Sequence, residues 1–328
     1  MPLKIHSNLL PPSQFYIDYA VWQELSENLV GLASLYRAEP FYGKFQNFIG
    51  SLYGRQMNKL GWDIVPNESS RTGTLRSTVI NMMGLAGNDA VIEEAYNRFC
   101  KFRSNPTENP IIGDLRSTIF SLALLKDEVG VFSALKEIYE GSSFPEEQRT
   151  CLSAMGRVKD PALHAEVYEY TLFSGKVCCI NGCCLLQRWC YASALFLFRC
   201  LSHTVRYVTL YPHLWQVRLQ DVSFSLNSLS GKTDHGGRAC WHSLRDKFDK
   251  ISAKFGSSPM WGSVVGLSCR GLRTTADALE AELFFKDSSH QVGSAARRLA
   301  QALENVRTRV TRLDRDREVV SEFFSSGS

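Results

Sequence analysis

The sequence predicts an all-α fold, an α-solenoid of stacked antiparallel helix pairs, and three observations predict it. Apolar residues recur at three- and four-residue spacing through most of the chain, and no segment alternates apolar and polar residues for long enough to require a sheet. One turn unit also returns along the chain. In Met83-Gly84-Leu85-Ala86-Gly87-Asn88-Asp89, Gly87 suits the left-handed conformation that ends a helix, and Asn88 or Asp89 suits capping of the next. The unit reappears as Met155-Gly156-Arg157-Val158-Lys159-Asp160-Pro161, with Pro161 suited to a first helical turn, and more loosely as Leu124-Leu125-Lys126-Asp127-Glu128-Val129. Finally, Asp89, Asp127 and Asp160 of the three copies lie 38 and then 33 residues apart, the period expected of stacked helix pairs, so a HEAT/armadillo-like stack is expected.

Composition supports a packed fold and narrows the partners. With 44% hydrophobic and 21% charged residues, 328 residues can bury a sizeable core and show no bias towards disorder. The balance of 37 Lys and Arg against 33 Asp and Glu, a net +4, is too slight to argue for nucleic acid or an acidic membrane surface. Near the N-terminus, Pro2, Pro11 and Pro12 interrupt any apolar run that would read as a signal peptide, so a cytoplasmic chain with reduced thiols is expected. Of the ten cysteines, Cys100, Cys151, Cys240 and Cys269 fall on helical patterns and are expected to be small buried hydrophobes. Cys178, Cys179, Cys183, Cys184, Cys190 and Cys200 crowd into one segment.

The elements follow in order. After an irregular lead-in over 1–16, the spacing of Tyr19, Trp22, Leu25, Leu29 and Leu32 predicts a helix from Ile17 to about Arg37. Pro40 breaks it, and Phe45, Phe48, Ile49 and Leu52 mark the apolar face of a second helix from Phe41 to Leu60. Gly61-Trp62-Asp63 ends that helix, and Pro66-Asn67-Glu68-Ser69-Ser70 is a polar loop. Helices are expected at about 72–86, 89–102, 113–126, 128–140, 145–156 and 161–173, with loops short enough to make neighbours antiparallel. Val91, Ile92, Ala95, Tyr96 and Phe99 give the second of these one apolar face. The pattern resumes with a short helix from Asp221 to Leu229 and a long one from Gly236 to Phe255 carrying Trp241, Leu244, Phe248 and Ile251. Shorter helices near 261–271 and 275–285 precede a long helix through Leu299, Ala302, Leu303, Val306, Val310 and Leu313, and a final turn or two carries Val319, Val320 and Phe323.

Several phrases at these positions together resemble one known module. Asp18-Tyr19-Ala20-Val21-Trp22, Leu60-Gly61-Trp62-Asp63, Leu75-Arg76-Ser77, Asp114-Leu115-Arg116-Ser117, Gly156 through Leu163, and Leu313-Asp314-Arg315-Asp316-Arg317-Glu318 occur in the order found in the helical C-terminal domain of zinc aminopeptidases of the puromycin-sensitive type, also called the endoplasmic-reticulum aminopeptidase-like C-terminal domain. The resemblance implies a curved stack of helix pairs that closes over a separate zinc-bearing catalytic domain and encloses the peptide substrate. It assigns 17–176 and 217–328 to the two parts of one helical domain. It also places Met1 inside that domain, so the opening helix pairs and the catalytic domain are expected to be missing, and the cut end of the stack is expected to be sticky and marginal.

Residues 177–216 depart from the family pattern, which passes from Ser174-Gly175-Lys176 directly to a phrase like Val217-Arg218-Leu219-Gln220-Asp221. Valine codons begin with GT and one glutamine codon is CAG, the two ends of a typical intron. The segment is therefore read as a cysteine-rich insertion without fixed structure or a translated intron. A Cys178-Cys179, Cys183-Cys184 metal clip for zinc or copper is a weaker reading, because adjacent cysteines span a tetrahedral site poorly. A membrane span is weaker still, since the apolar run from Tyr191 to Phe198 is far short of the roughly 20 residues required.

By resemblance, the chemistry of the family needs two histidines one helical turn apart with a carboxylate to hold zinc, and a glutamate to activate water. None of the seven histidines here, His6, His164, His203, His213, His235, His242 and His290, makes H-E-x-x-H. His235 and His242 are expected on an exposed helical face, and His164-Ala165-Glu166 at a solvated helix start. No catalytic or metal-binding residue is assigned, no cofactor is expected in this chain, and the chain is expected to be inactive alone. Arg297, Arg298, Arg307, Arg309, Arg312, Arg315 and Arg317 make the last helices basic on one side. Glu304 and Asp314 sit three residues before Arg307 and Arg317, pairs worth about 0.2–0.5 kcal/mol each, which favours a solvated face for most. By resemblance some would meet the carboxylate end of a peptide. The expected partners are thus a peptide substrate and the catalytic domain, with no nucleic acid and no membrane. The alternative is a freestanding α-solenoid that binds protein or peptide on its concave face.

Overall fold

The computed structural model of the protein describes residues 19–173, 217–233 and 235–326, and every regular element among them is helical. The α-helices are α1 (Tyr19–Tyr36), α2 (Tyr42–Leu60), α3 (Ser70–Leu85), α4 (Asp89–Ser104), α5 (Gly113–Ala123), α6 (Glu128–Gly141), α7 (Pro145–Met155) and α8 (Pro161–Phe173). After the undescribed stretch come α9 (Val222–Lys232), α10 (Gly236–Asp246), α11 (Phe248–Phe255), α12 (Trp261–Arg270), α13 (Thr275–Lys286) and α14 (Ala296–Ser326). Short 3-10 turns at Leu219–Asp221, Ser288–His290 and Gly293–Ala295 lead into α9, follow α13 and precede α14. The lead-in, the six crowded cysteines and the whole of 177–216 lie outside the described residues.

The chain divides into two compact units, 19–127 with 311–326, and 128–310 within the described residues. In the first, α2 packs on α3, α4 on α5, and α3 lies against both α1 and α5. Its core holds Ile49, Tyr53, Val79, Ile80, Met82, Leu115, Ile119 and Phe120, all buried. The Tyr53 ring meets Trp22 edge-on at 4.9 Å, and its hydroxyl shares a 2.6 Å bond with Ser26, so the α1–α2 pair is locked by one polar contact inside an apolar one. Phe48 departs from expectation. It is 38% exposed at the edge of the packed face, touching the Phe324 ring, and Tyr53 takes the buried position on α2.

The turn between α3 and α4 forms as its residues dictate. Gly87 has φ +75°, the Asn88 amide donates to the Met83 carbonyl at 3.1 Å, and the Asn88 side chain accepts from the Val91 amide at 3.0 Å. Beyond it Val91, Ala95 and Phe99 are buried, whereas Ile92 and Tyr96 are half-buried and Cys100 is exposed. Cys100 thus breaks the expectation for its group, since Phe99 occupies the core and the next residue points about 100° away round the helix. Cys151, Cys240 and Cys269 are buried, and burial pushes the Cys240 and Cys269 thiols far up from their ordinary pKa.

The C-terminal part of α14 completes the first unit. Leu313, Val320 and Phe324 pack against Leu35, Tyr36 and Phe41, and Phe324 stacks on Phe41 at 6.1 Å and meets Phe45 edge-on at 5.9 Å. The expected separate final turn is instead the continuation of one 31-residue helix. Val319 and Phe323 are exposed on it, because the docked face at this end is the row of Leu313, Val320 and Phe324, spaced by seven and four residues.

In the second unit α6 packs on α7, and α9 lies against α7, α8, α10 and α12. The α7–α8 turn looks like that between α3 and α4 in sequence but not in conformation. Gly156 has φ −69°, and glycine is required there because a Cβ would lie 2.4 Å from the Ser225 carbonyl of α9. The predicted helix 236–255 is two helices, broken at Lys247 with φ −122° and ψ 24°. The break lets Trp241 be buried against Phe284 and Phe285 of α13 and Phe248 against those two rings and Trp261 of α12, with Leu244 and Ile251 also buried.

Candidate functional site

The described histidines, His164, His235, His242 and His290, form no metal-holding group. His164 is not at a solvated helix start: it is 1% exposed, with its Nε2 3.0 Å from the Val158 carbonyl. Pro161 and Ala162 take the exposed side of that first turn, and His164 falls on the face shared with Leu163 and Val167. Burial pushes its pKa below the ordinary histidine value, with the Val158 bond opposing that. Glu166 is exposed and pairs with Lys136 at 2.9 Å. His235 is exposed ahead of α10, and His242 is half-buried within it rather than exposed beside it. Among the described residues no three His, Cys, Asp or Glu side chains are placed to hold a metal ion. The described residues therefore do not fit the zinc that the family resemblance implies, and no chemical step is assigned to it here.

A cleft of about 300 Å³ is lined by Arg245, Asp246, Lys247, Phe248, Asp249, Lys250 and His290. The α10–α11 break supplies most of its wall, so the same residue that interrupts the helix shapes the cleft. Lys247 and Lys250 both reach Glu169 of α8, the second at 3.3 Å. Burial alone would raise the Glu169 pKa, but the two lysine bonds outweigh it and hold the carboxyl below its usual range. Arg245 is held by Asp246 at 2.9 Å and by Glu280 at 2.7 Å. An aromatic cluster backs the cleft: His290 stacks on Phe284 at 3.9 Å and meets Phe248 edge-on at 5.2 Å. Lining residues of both charge signs can bind a polar chain through ion pairs and hydrogen bonds.

The basic side of α14 resolves into separate contacts. In the second unit Arg297 and Arg298 are exposed, Arg307 pairs with Glu282 and lies 3.8 Å from Glu304, and Arg309 donates to the Leu272 and Arg270 carbonyls at 3.2 Å each. In the first unit Arg312 and Arg315 meet Asp316 at 3.7 and 2.7 Å, and Arg317 meets Glu39 at 2.9 Å and Asp314 at 3.4 Å.

Two buried ion pairs escaped the sequence reading. Arg76, 2% exposed, grips both oxygens of Glu68 at 2.6 Å, which holds the Glu68 pKa at about 2. Asp221, 1% exposed, accepts from Arg218 at 2.5 Å and from Arg149 at 3.2 Å. A third ion pair did carry a usable signal: Thr274 and Asp277 have capping-box spacing, and Asp277 both caps α13 and pairs with Arg238 at 2.7 Å.

The described residues thus form an all-helical domain with a polar cleft and buried ion pairs. The ERAP1-like C-terminal domain family matches residues 15–178 and 201–308, and the chain belongs to that family. The matched stretches leave 179–200 between them, a shorter interval than 177–216. Among similar proteins, Aminopeptidase M1 of Arabidopsis thaliana is 23% identical over 296 residues, 88% of this chain and 28% of that protein. Aminopeptidase N of Bos taurus is 23% identical over 325 residues, 95% of this chain and 29% of that protein. Puromycin-sensitive aminopeptidase of Caenorhabditis elegans is 25% identical over 162 residues, 49% of this chain and 17% of that protein. The chain thus spans less than a third of the length of these relatives. No described helix is long and apolar enough to cross a membrane.

Proposed function

We propose that the chain is the substrate-enclosing C-terminal domain of a zinc aminopeptidase that removes N-terminal residues from peptides, and that it acts with a catalytic domain outside this sequence. The observation that supports this is the family match over 15–178 and 201–308 to relatives that are aminopeptidases more than three times as long. The described residues hold no metal-ligand set, so this part of the molecule works by shape and charge, admitting and orienting a peptide whose scissile bond is cut elsewhere. The polar cleft beside α11 and the basic groups of α14 are the surfaces available for such contacts. A cytoplasmic location and a peptide partner belong to the same reading.

The test is hydrolysis of an aminoacyl anilide and of a peptide series by the pure chain, with and without a chelator, and then with the chain fused to the catalytic part of a related aminopeptidase. No activity alone, and length-dependent cleavage in the fusion, is expected. Chelator-sensitive hydrolysis by the chain alone would overturn the proposal. A freestanding protein-binding scaffold has one observation in its favour: α13 turns Leu279 and Leu283 outward, 51% and 58% exposed. A fusion whose peptide selection is indifferent to the presence of this domain would favour that second reading.

A further inference from the structure

Most arginines of the second unit that make a side-chain contact end on a carboxylate: Arg149 and Arg218 on Asp221, Arg238 on Asp277, Arg245 on Glu280 and Arg307 on Glu282. Arg270 and Arg309 do not. Arg309 of α14 is half-buried, and its guanidinium is fixed by two neutral acceptors, the carbonyls of Arg270 and Leu272 at the end of α12. Arg270 is exposed, and its guanidinium is fixed by the Asn227 side-chain oxygen of α9. Among the described residues neither lies within ion-pair distance of an acid.

A guanidinium oriented by neutral acceptors leaves its positive charge uncompensated, whereas a carboxylate partner offsets that charge locally. Each guanidinium carries five N–H donors. Arg309 uses two of them and Arg270 one, so the rest remain for a ligand. The Arg309 pKa is lowered, by burial first and then by Arg273 and Arg270, a sign that positive charge is concentrated around it. The carboxylate on the adjoining turn, Asp277, does not relieve this, since it caps α13 and pairs with Arg238. The carboxyl end of α12 would by itself repel an anion. Arg309 already occupies the Arg270 carbonyl at that end and the Leu272 carbonyl just past it, so the outward face of the cluster is cationic.

We propose that Arg270 and Arg309 form a binding site for a small dianionic oxyanion of the phosphoryl class, either free phosphate or a phosphomonoester, at the junction of α9, α12 and α14. Two guanidinium forks match a dianion in charge and in acceptor number, whereas a monocarboxylate would leave one fork unfilled. The inference is independent of the aminopeptidase reading, because the cluster needs no catalytic domain to bind its ligand.

The full chain is titrated with inorganic phosphate, with glycerol phosphate and with acetate against chloride at constant ionic strength, followed by calorimetry and phosphorus resonance broadening. Saturable phosphate binding is expected, weakened about tenfold or more in Arg270→Gln and Arg309→Gln and unchanged in Arg297→Gln on the same helix. Arg270→Gln alters an exposed side chain and keeps the test open if Arg309→Gln fails to fold. Equal binding of glycerol phosphate places the site in the phosphomonoester class, and binding of phosphate alone restricts it to the free ion. Absence of saturable binding, acetate binding as tightly as phosphate, or equal loss in Arg297→Gln would overturn the proposal.

Discussion

Replacing Gly156 by alanine tests the packing of α7 on α9 at one atom. The added Cβ would lie 2.4 Å from the Ser225 carbonyl oxygen, 2.7 Å from the Ser228 Cβ and 3.0 Å from the Leu229 amide nitrogen. Two of these three are backbone atoms, so no side chain can rotate away, and α9 must withdraw by about 1 Å. A gap of that size forfeits roughly a quarter to a half of the contact energy. The α9 residues at stake are Val222, Leu226 and Leu229, all buried, each worth about 2 kcal/mol. The expected loss is therefore about 1.5–3 kcal/mol, reduced by about 0.5 kcal/mol because alanine restricts the unfolded chain. Gly54 of α2 is the control, since a Cβ there meets nothing within 4 Å, and Gly54→Ala should stabilise by up to about 1 kcal/mol. Urea unfolding followed by hydrogen exchange within α7 and α9 measures both. If Gly156→Ala loses less than about 0.5 kcal/mol, or if exchange in α9 is unchanged, the argument from close backbone approach fails.

Three further outcomes are expected. His164 is buried as the neutral imidazole and its Nδ1 has no partner, so protonation there creates a buried donor without an acceptor, at a cost of about 1–3 kcal/mol. Its folded pKa lies below the ordinary value, the unfolded chain therefore binds more protons in that window, and stability should fall as pH drops below about 6.5; a His164→Gln variant with an identical slope in that range would refute this. Phe324→Ala should destabilise the first unit by about 2 kcal/mol, because the ring touches Phe41, Phe45 and Phe48, whereas Phe323→Ala, 47% exposed, should change denaturant stability by less than about 0.5 kcal/mol. Asp221→Ala should cost about 3 kcal/mol by leaving Arg149 and Arg218 without their shared acceptor, and a thermal melt of the variant within 2 °C of the parent would count against that pair as a structural tie.

Caps, prolines and apolar spacing act within one or two helical turns, and for that reason the sequence by itself determined the fold class and most helix boundaries. Gly87, Asn88 and Pro161 do what their local chemistry requires. Their effect depends on residues no more than about five places away, which any reading of the chain can see. The family resemblance was legible for a related reason, as its motif phrases mark these same turns and helix starts.

Only the tertiary structure decided which side of each element is covered and which charges are spent. Gly156 is a glycine because of α9, nearly seventy residues later, and not because of its own φ. His164 and Cys100 exchange their expected environments because burial depends on a neighbouring helix and not on the residue's own polarity. The same holds for the arginines: Arg317 meets Glu39 across 278 residues of sequence, and Arg149 meets Asp221 across 72. No local pattern encodes such a pair, because its energy arises only when the folded chain brings the two groups within bonding distance. For Arg270 and Arg309, the fold alone reveals that their acceptors are neutral and that the positive charge remains for a ligand.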